Sequence, residues 1–130
     1  MRLLPQTGTA QRTTLMTVSS VHHGDIVLVP FPLNSPSANQ RRPAVVVSGD
    51  YYNTGTGEVV IAPITGHARA APRIGDYTLM DWQIAGLLGP STVRARLVTL
   101  RVSHLLRRLG GISRRDMEGL AQWLRRVMEL

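Results

Sequence analysis

Three runs of apolar and β-branched residues dominate the first half of the chain. They are Gly24-Asp25-Ile26-Val27-Leu28-Val29-Pro30-Phe31-Pro32, Arg41-Arg42-Pro43-Ala44-Val45-Val46-Val47-Ser48 and Glu58-Val59-Val60-Ile61-Ala62-Pro63-Ile64-Thr65. Each predicts a strand that is buried on both faces or wrapped in a tight barrel. Pro43 opens the second run, where a missing N–H is tolerated. Residues 34–40 are turn-rich. Gly49-Asp50 and Asn53 to Gly57 predict a further turn. Connections this short predict an antiparallel meander.

The second half is more broken. Residues 66–76 are Gly, Ala, Pro and Arg, a basic loop, and Tyr77 to Met80 suit a short strand. Ala85 to Pro90 reads as a turn. Thr92 to Leu100 predicts another strand, with Val93, Ala95 and Leu97 on one face and Arg94 and Arg96 on the other. Ser103 suits the cap of a short helix ending at Gly110-Gly111. Ser113 to Asp116 has capping-box spacing. Met117, Leu120, Ala121, Leu124, Val127 and Met128 then recur at helical spacing, opposite Glu118, Gln122, Arg125 and Glu129. The expected fold class is mainly β (α+β): a small, strongly curved antiparallel barrel with one C-terminal helix packed on it. Residues 1–21, rich in Thr, Ser and Gln, predict a flexible N-terminal extension, with Met16 a second candidate start. Residues 22–130 predict the single domain that a chain of 130 residues accommodates.

Charge adds a partner class. The chain has 15 basic against 8 acidic residues, a net charge of +7, and all the basic residues are arginine. Arginine forks match phosphate oxygens and stack on bases, so a polyanion is expected. The 43% hydrophobic content argues against wholesale disorder. The absence of cysteine excludes disulfides and thiolate zinc sites. No histidine pair has metal-ligand spacing, so no cofactor is expected. No apolar stretch approaches the ~18 residues that span a bilayer, and residues 1–21 lack the apolar core of a secretory signal. A cytoplasmic protein with no membrane partner is the expectation. Within the three runs, Arg42, Ser48 and Thr65 stand at strand ends, where a guanidinium and hydroxyls suit the grip of one phosphate.

The ordered set of blocks resembles the MazF/PemK toxins. Gly24 to Val29, Arg42 to Ser48 and Val60 to Thr65 carry the likeness, followed in the same order by Gly86-Leu87-Leu88, Pro90 to Ala95 and Leu109-Gly110. The resemblance covers about residues 23–130. It implies an SH3-like barrel, a homodimer and a ribosome-independent endoribonuclease that cuts single-stranded RNA without metal. The expected products are 2′,3′-cyclic phosphate and 5′-hydroxyl ends. It also implies an antitoxin whose acidic C-terminal segment fills the RNA groove, and DNA binding by the toxin–antitoxin complex.

Under the resemblance Arg42 matches the catalytic arginine and Thr65 the threonine that closes the third strand. A guanidinium with a pKa above ~12 is a poor base, so Arg42 is assigned to charge stabilisation. Arg41 and Ser48 are weaker phosphate contacts, turn capping being the other reading of Ser48. Arg69 and Arg73, with Tyr77 and Trp82 downstream, offer charge and stacking for RNA; core or dimer packing is the other reading of Trp82. Arg94 also matches the family. Arg96, two residues on, stands where some members keep an aspartate, and residues 34–40 lack the histidine that others carry there. Arg96 suits phosphate binding and not proton donation. His67 is the candidate substitute, on the face of Thr65 if that strand continues. Two alternatives follow. One is a family member that binds RNA or antitoxin without cutting. The other is a gyrase poison of related fold, against which the chain ends Met128-Glu129-Leu130 without a terminal tryptophan.

Overall fold

The three apolar runs become the middle of a seven-stranded antiparallel sheet. The computed structural model describes residues 16–33, 39–66 and 73–130. The strands are β1 (Asp25–Phe31), β2 (Gln40–Val46), β3 (Glu58–Gly66), β4 (Tyr77–Thr78), β5 (Ser91–Val93), β6 (Val98–Arg101) and β7 (Arg107–Gly111). The helices are α1 (Asp50–Thr56) and α2 (Arg114–Met128). The order is β4-β5-β3-β2-β1-β7, with β6 also pairing β3, so the predicted meander stands at the centre. The expected barrel is open, because its end strands β4 and β7 are not paired with each other.

Register explains why these runs are continuously apolar. Val27 opposes Ala44, and Val46 opposes Ile61; these residues share one face and join Val21, Val102 and Leu105 in one core. Ile26 opposes Val45, and Val45 opposes Ala62; they join Ile64, Leu79, Leu120 and Trp123 in a second core on the other face. A strand covered on both sides has no polar face to show. α2 covers the second face. Its most buried positions are Asp116, Leu120 and Trp123, while Val127 and Met128 are exposed. The helix is thus rotated from the expected stripe, and it is held there by Trp123 Nε1 donating to the Gly75 carbonyl at 2.8 Å.

Four local expectations change. Residues 50–56 form a helix where a turn was expected. Gly57 ends it at φ 74°, and the buried Asn53 ties it to Ser48 by a 2.6 Å hydrogen bond. That tertiary contact overrides the turn-like composition. The strand expected over 92–100 is split. β5 and β6 pair successive stretches of the same edge of β3, but four residues, 94–97, bulge opposite only Ala62 and Pro63. Ala95 is exposed as a result, while Leu97 still packs on the second core. Residues 107–111 form a strand where a helix was expected, because the open edge of β1 captures them and Leu106 N–H donates to the Leu28 carbonyl. Part of the expected flexible extension is packed. Residues 18–20 form a 3₁₀ turn, Val21 is fully buried, and Met16 and Val18 lie on the first core. Residues 1–15 lie outside the described residues.

The strand β7 also accounts for two of the family-like blocks. Gly86 and Gly110 cross with backbone against backbone. A Cβ on Gly86 would meet the Leu109 carbonyl, and one on Gly110 the Ala85 carbonyl, each at under 3.0 Å. Gly86 also has φ 83°, a conformation that costs any L side chain. Backbone cannot move aside as a flexible side chain can. Gly110→Ala is therefore expected to cost roughly 2–3 kcal/mol, read as a lowered urea midpoint at unchanged m-value. A midpoint equal to that of the parent protein would refute the crossing.

Candidate functional site

The β2·β3 ladder runs Val46↔Ile61, Val45↔Ala62, Ala44↔Pro63 and stops. Pro43, at the next hydrogen-bonding position, has no N–H to continue it, and Pro63 faces the other edge of β3, where its carbonyl accepts from Arg94 N–H. Two residues beyond the ladder's last pair stand Arg42 on β2 and Thr65 on β3. Strand alternation puts both on the face of Ala44 and Val46. The outer strands extend the row: Val29 opposes Arg42, and Thr92 opposes Thr65. Residues opposed in this way have Cβ atoms roughly 5 Å apart. At this end of the sheet the first core has run out, so Arg42 is exposed and Thr65 half-buried.

Arg42 has no carboxylate partner among the described residues. Its guanidinium carbon lies 5.0 Å from the centroid of the Phe31 ring, and Nη2 donates to Gln40 Oε1 at 3.4 Å. A cation–π contact at an exposed site is worth about 0.5–1 kcal/mol, against ~2 kcal/mol of arginine rotamer entropy. The ring biases the side chain without locking it. The Thr65 hydroxyl makes no hydrogen bond to the described residues and is available to donate. The site thus offers a cationic fork and a hydroxyl on one rigid face, the equipment for gripping a phosphate and stabilising added charge on it.

Other expected site residues are placed differently. Arg41 opposes Pro30, and alternation turns it to the opposite face from Arg42. Ser48 lies past the far end of β2, six residues and about 20 Å from Arg42. Its hydroxyl donates to Asn53 Oδ1 at 2.6 Å and accepts from Val60 N–H at 2.8 Å. Ser48 caps the turn into α1, the other reading the sequence offered for it, and it does not share the corner of Arg42 and Thr65. Arg94 Nε meets Asp76 Oδ1 at 3.1 Å, with the two side chains 20% and 7% exposed, so its charge is already matched. Arg96 and Arg73 are exposed. His67 and Arg69 lie outside the described residues. Tyr77 is half-buried, and its hydroxyl donates to Asp116 Oδ1 at 2.6 Å under α2. Burial first and that hydrogen bond second push the phenol pKa up. Trp82 is half-buried against the second core.

Phe31, Gln40 and Thr92 were missed in the sequence. Alternation along β1 does set Phe31 on the face of Val27 and Val29, which is the signal that was available. Elsewhere a cleft of about 860 Å³ opens between α2 and residues 74–80, and it contains neither Arg42 nor Thr65. Among the described residues no group of three His, Asp or Glu side chains is placed to hold a metal ion. No helix there is long and apolar enough to cross a membrane.

Several solved structures share this architecture. An endoribonuclease in complex with its cognate antitoxin, from a mycobacterial species, superposes with TM-score 0.64 at 19% identity, over 85% of this chain and 94% of that one. The Mycobacterium tuberculosis toxin MazF-mt6 gives 0.63 at 20%, over 82% and 97%. MazE-MazF from Deinococcus radiodurans gives 0.61 at 23%, over 83% and 94%. At these identities the likeness is one of fold. No curated protein matches the sequence. The sequence does match, over residues 22–128, the model of the PemK-like, MazF-like toxins of type II toxin-antitoxin systems. A match spanning nearly the whole described sheet and both helices, on a fold shared with solved MazF toxins, places the chain in that toxin family.

Proposed function

We propose that this toxin is an endoribonuclease that cleaves single-stranded RNA, mRNA in the cytoplasm, without a metal ion. The observation that carries the reading is the placement of Arg42 and Thr65 on one face where the β2·β3 ladder stops. RNA supplies the nucleophile. The 2′-oxygen attacks the adjacent phosphorus, its proton is removed, and the 5′-oxygen leaves with a proton. A 2′,3′-cyclic phosphate and a 5′-hydroxyl result. Arg42 meets the charge that builds on the phosphorane, and the Thr65 hydroxyl donates to a phosphate oxygen.

The partners proposed are a second copy of the chain and an antitoxin with an acidic C-terminal segment. The endoribonuclease from a mycobacterial species is in complex with its cognate antitoxin and the Deinococcus MazF is with MazE, and the charge of +7 suits an acidic segment. The second reading is RNA or antitoxin binding without cleavage. It is favoured by Arg96, which brings no acid, and by Asp76, whose carboxylate is committed to Arg94.

The test is incubation of the full chain with a long single-stranded RNA in excess chelator. Fragments with cyclic phosphate ends are expected. Affinity that falls steeply with salt, by about 0.7 log units per log unit of salt for each phosphate contacted, without fragments would favour the second reading.

A further inference from the structure

We propose that Phe31 is a positioning residue for Arg42, its ring and the Gln40 amide holding the guanidinium toward the RNA phosphate without neutralising it. The inference rests on the endoribonuclease reading above. It starts from register. Phe31 and Gln40 are direct cross-strand partners, and Arg42 is two residues along β2 from Gln40, opposite Val29. All three side chains therefore occupy one corner of one face. The ring lies 5.0 Å from the guanidinium carbon, and the amide oxygen 3.4 Å from Nη2.

Phe31 is 45% exposed, whereas Val27 and Val29, before it on the same face, are 0% and 2% exposed. The ring belongs to neither core. Among the described residues, the side-chain contact recorded for the ring is the one with the Arg42 guanidinium.

The chemistry of the partners is the distinguishing point. Arg94, Arg108 and Arg115 are each held by an aspartate, with N–O distances of 3.1, 3.0 and 2.8 Å. An aspartate fixes a guanidinium and cancels its charge together. A π face and a neutral amide fix it and leave the charge whole. Gln40 takes one N–H, and among the described residues the other donors of the fork meet no acceptor, which leaves them for phosphate oxygens. Pre-orienting the fork removes ordering that would otherwise be completed as the phosphorane forms. The effect belongs to the turnover step more than to RNA binding.

Phe31→Leu keeps apolar bulk and removes the ring; Phe31→Tyr keeps the ring. On a short single-stranded RNA, Phe31→Leu is expected to lower kcat about two- to fivefold with KM essentially unchanged. Phe31→Tyr is expected to restore most of the rate. Both should melt within about 2 °C of the parent, since so exposed a side chain adds little to the core. The independent reading is the Arg42 Nε–Hε resonance without RNA. Its ring-current shift is expected to vanish in Phe31→Leu and to persist in Phe31→Tyr. An Arg42 resonance unmoved by Phe31→Leu, or a Phe31→Leu protein with parental kcat, overturns the proposal. If the parent protein cuts no RNA, the endoribonuclease reading falls, and the ring-current shift still decides whether Phe31 holds Arg42.

Discussion

Arg42→Ala is expected to lower the single-turnover rate of RNA cleavage by about 100- to 1,000-fold, the loss typical of removing one preorganised charge stabiliser from a reaction that builds negative charge. The expectation follows from where Arg42 stands. It is exposed, free of any carboxylate among the described residues, and carried on a strand backed by the first core. Nothing in the core depends on its side chain, so the melting temperature should stay within about 2 °C of the parent. Arg42→Lys keeps a unit charge and loses the planar fork and the stacking on Phe31. It should recover only part of the rate. Thr65→Val, which removes one neutral donor, should cost less than Arg42→Ala because a neutral hydrogen bond is worth less than a charged one. An Arg42→Ala protein that cuts within threefold of the parent would remove the guanidinium from the mechanism.

The centre of this fold was legible because its residues are consistent across levels. Val27, Val29, Val45, Val46, Ile61 and Ala62 are apolar, β-branched or small, and buried on whichever face they meet. The strand-end positions of Arg42 and Thr65 were legible through the same strands, while the roles expected of them came from the family resemblance. What failed to show were features decided by distant partners. Asn53 makes a helix of a turn-like segment through its contact with Ser48. The free edge of β1 makes a strand of residues 107–111. Arg94 reads as a cation for phosphate until Asp76, eighteen positions upstream, is seen to hold it. Gly110 reads as a helix stop, and its true constraint is the Ala85 carbonyl. Local pattern cannot report such meetings, because neither partner is unusual by itself.

The same kind of meeting makes Asp116→Ala the substitution expected to destabilise the fold most. Asp116 is fully buried at the start of α2. The Ser113 hydroxyl caps the helix by accepting from Asp116 N–H at 3.2 Å. The Asp116 carboxylate does not complete a capping box and turns inward instead. Oδ1 accepts from the Tyr77 hydroxyl at 2.6 Å and Met80 N–H at 2.9 Å, and Oδ2 accepts from Asp81 N–H at 2.8 Å. Gly119 leaves room for the Tyr77 ring beneath the helix. One carboxylate therefore fastens residues 77–81, and with them β4 beside β5 and Thr92, to α2. Alanine would leave three donors without an acceptor, at about 1–3 kcal/mol for each that water cannot reach. A total of about 3–5 kcal/mol is expected, a large part of the roughly 5–15 kcal/mol that holds a domain together. Tyr77→Phe removes a donor and strands no acceptor fully, since Asp116 keeps two backbone partners; about 1 kcal/mol is expected. In the double variant the losses should not add, because Asp116→Ala has already broken the Tyr77 bond. The neighbouring Asp81 contributes to the acid limb. The Arg115 fork, and then the Ser113 hydroxyl, lower its pKa from 3.8 to about 2. A lowered folded-state pKa stabilises above the unfolded value, so this contribution holds above about pH 4 and fades as pH falls toward 2. Urea unfolding at neutral pH measures the main claim. A loss below about 1 kcal/mol for Asp116→Ala would show that the carboxylate does not fasten the segment to the helix.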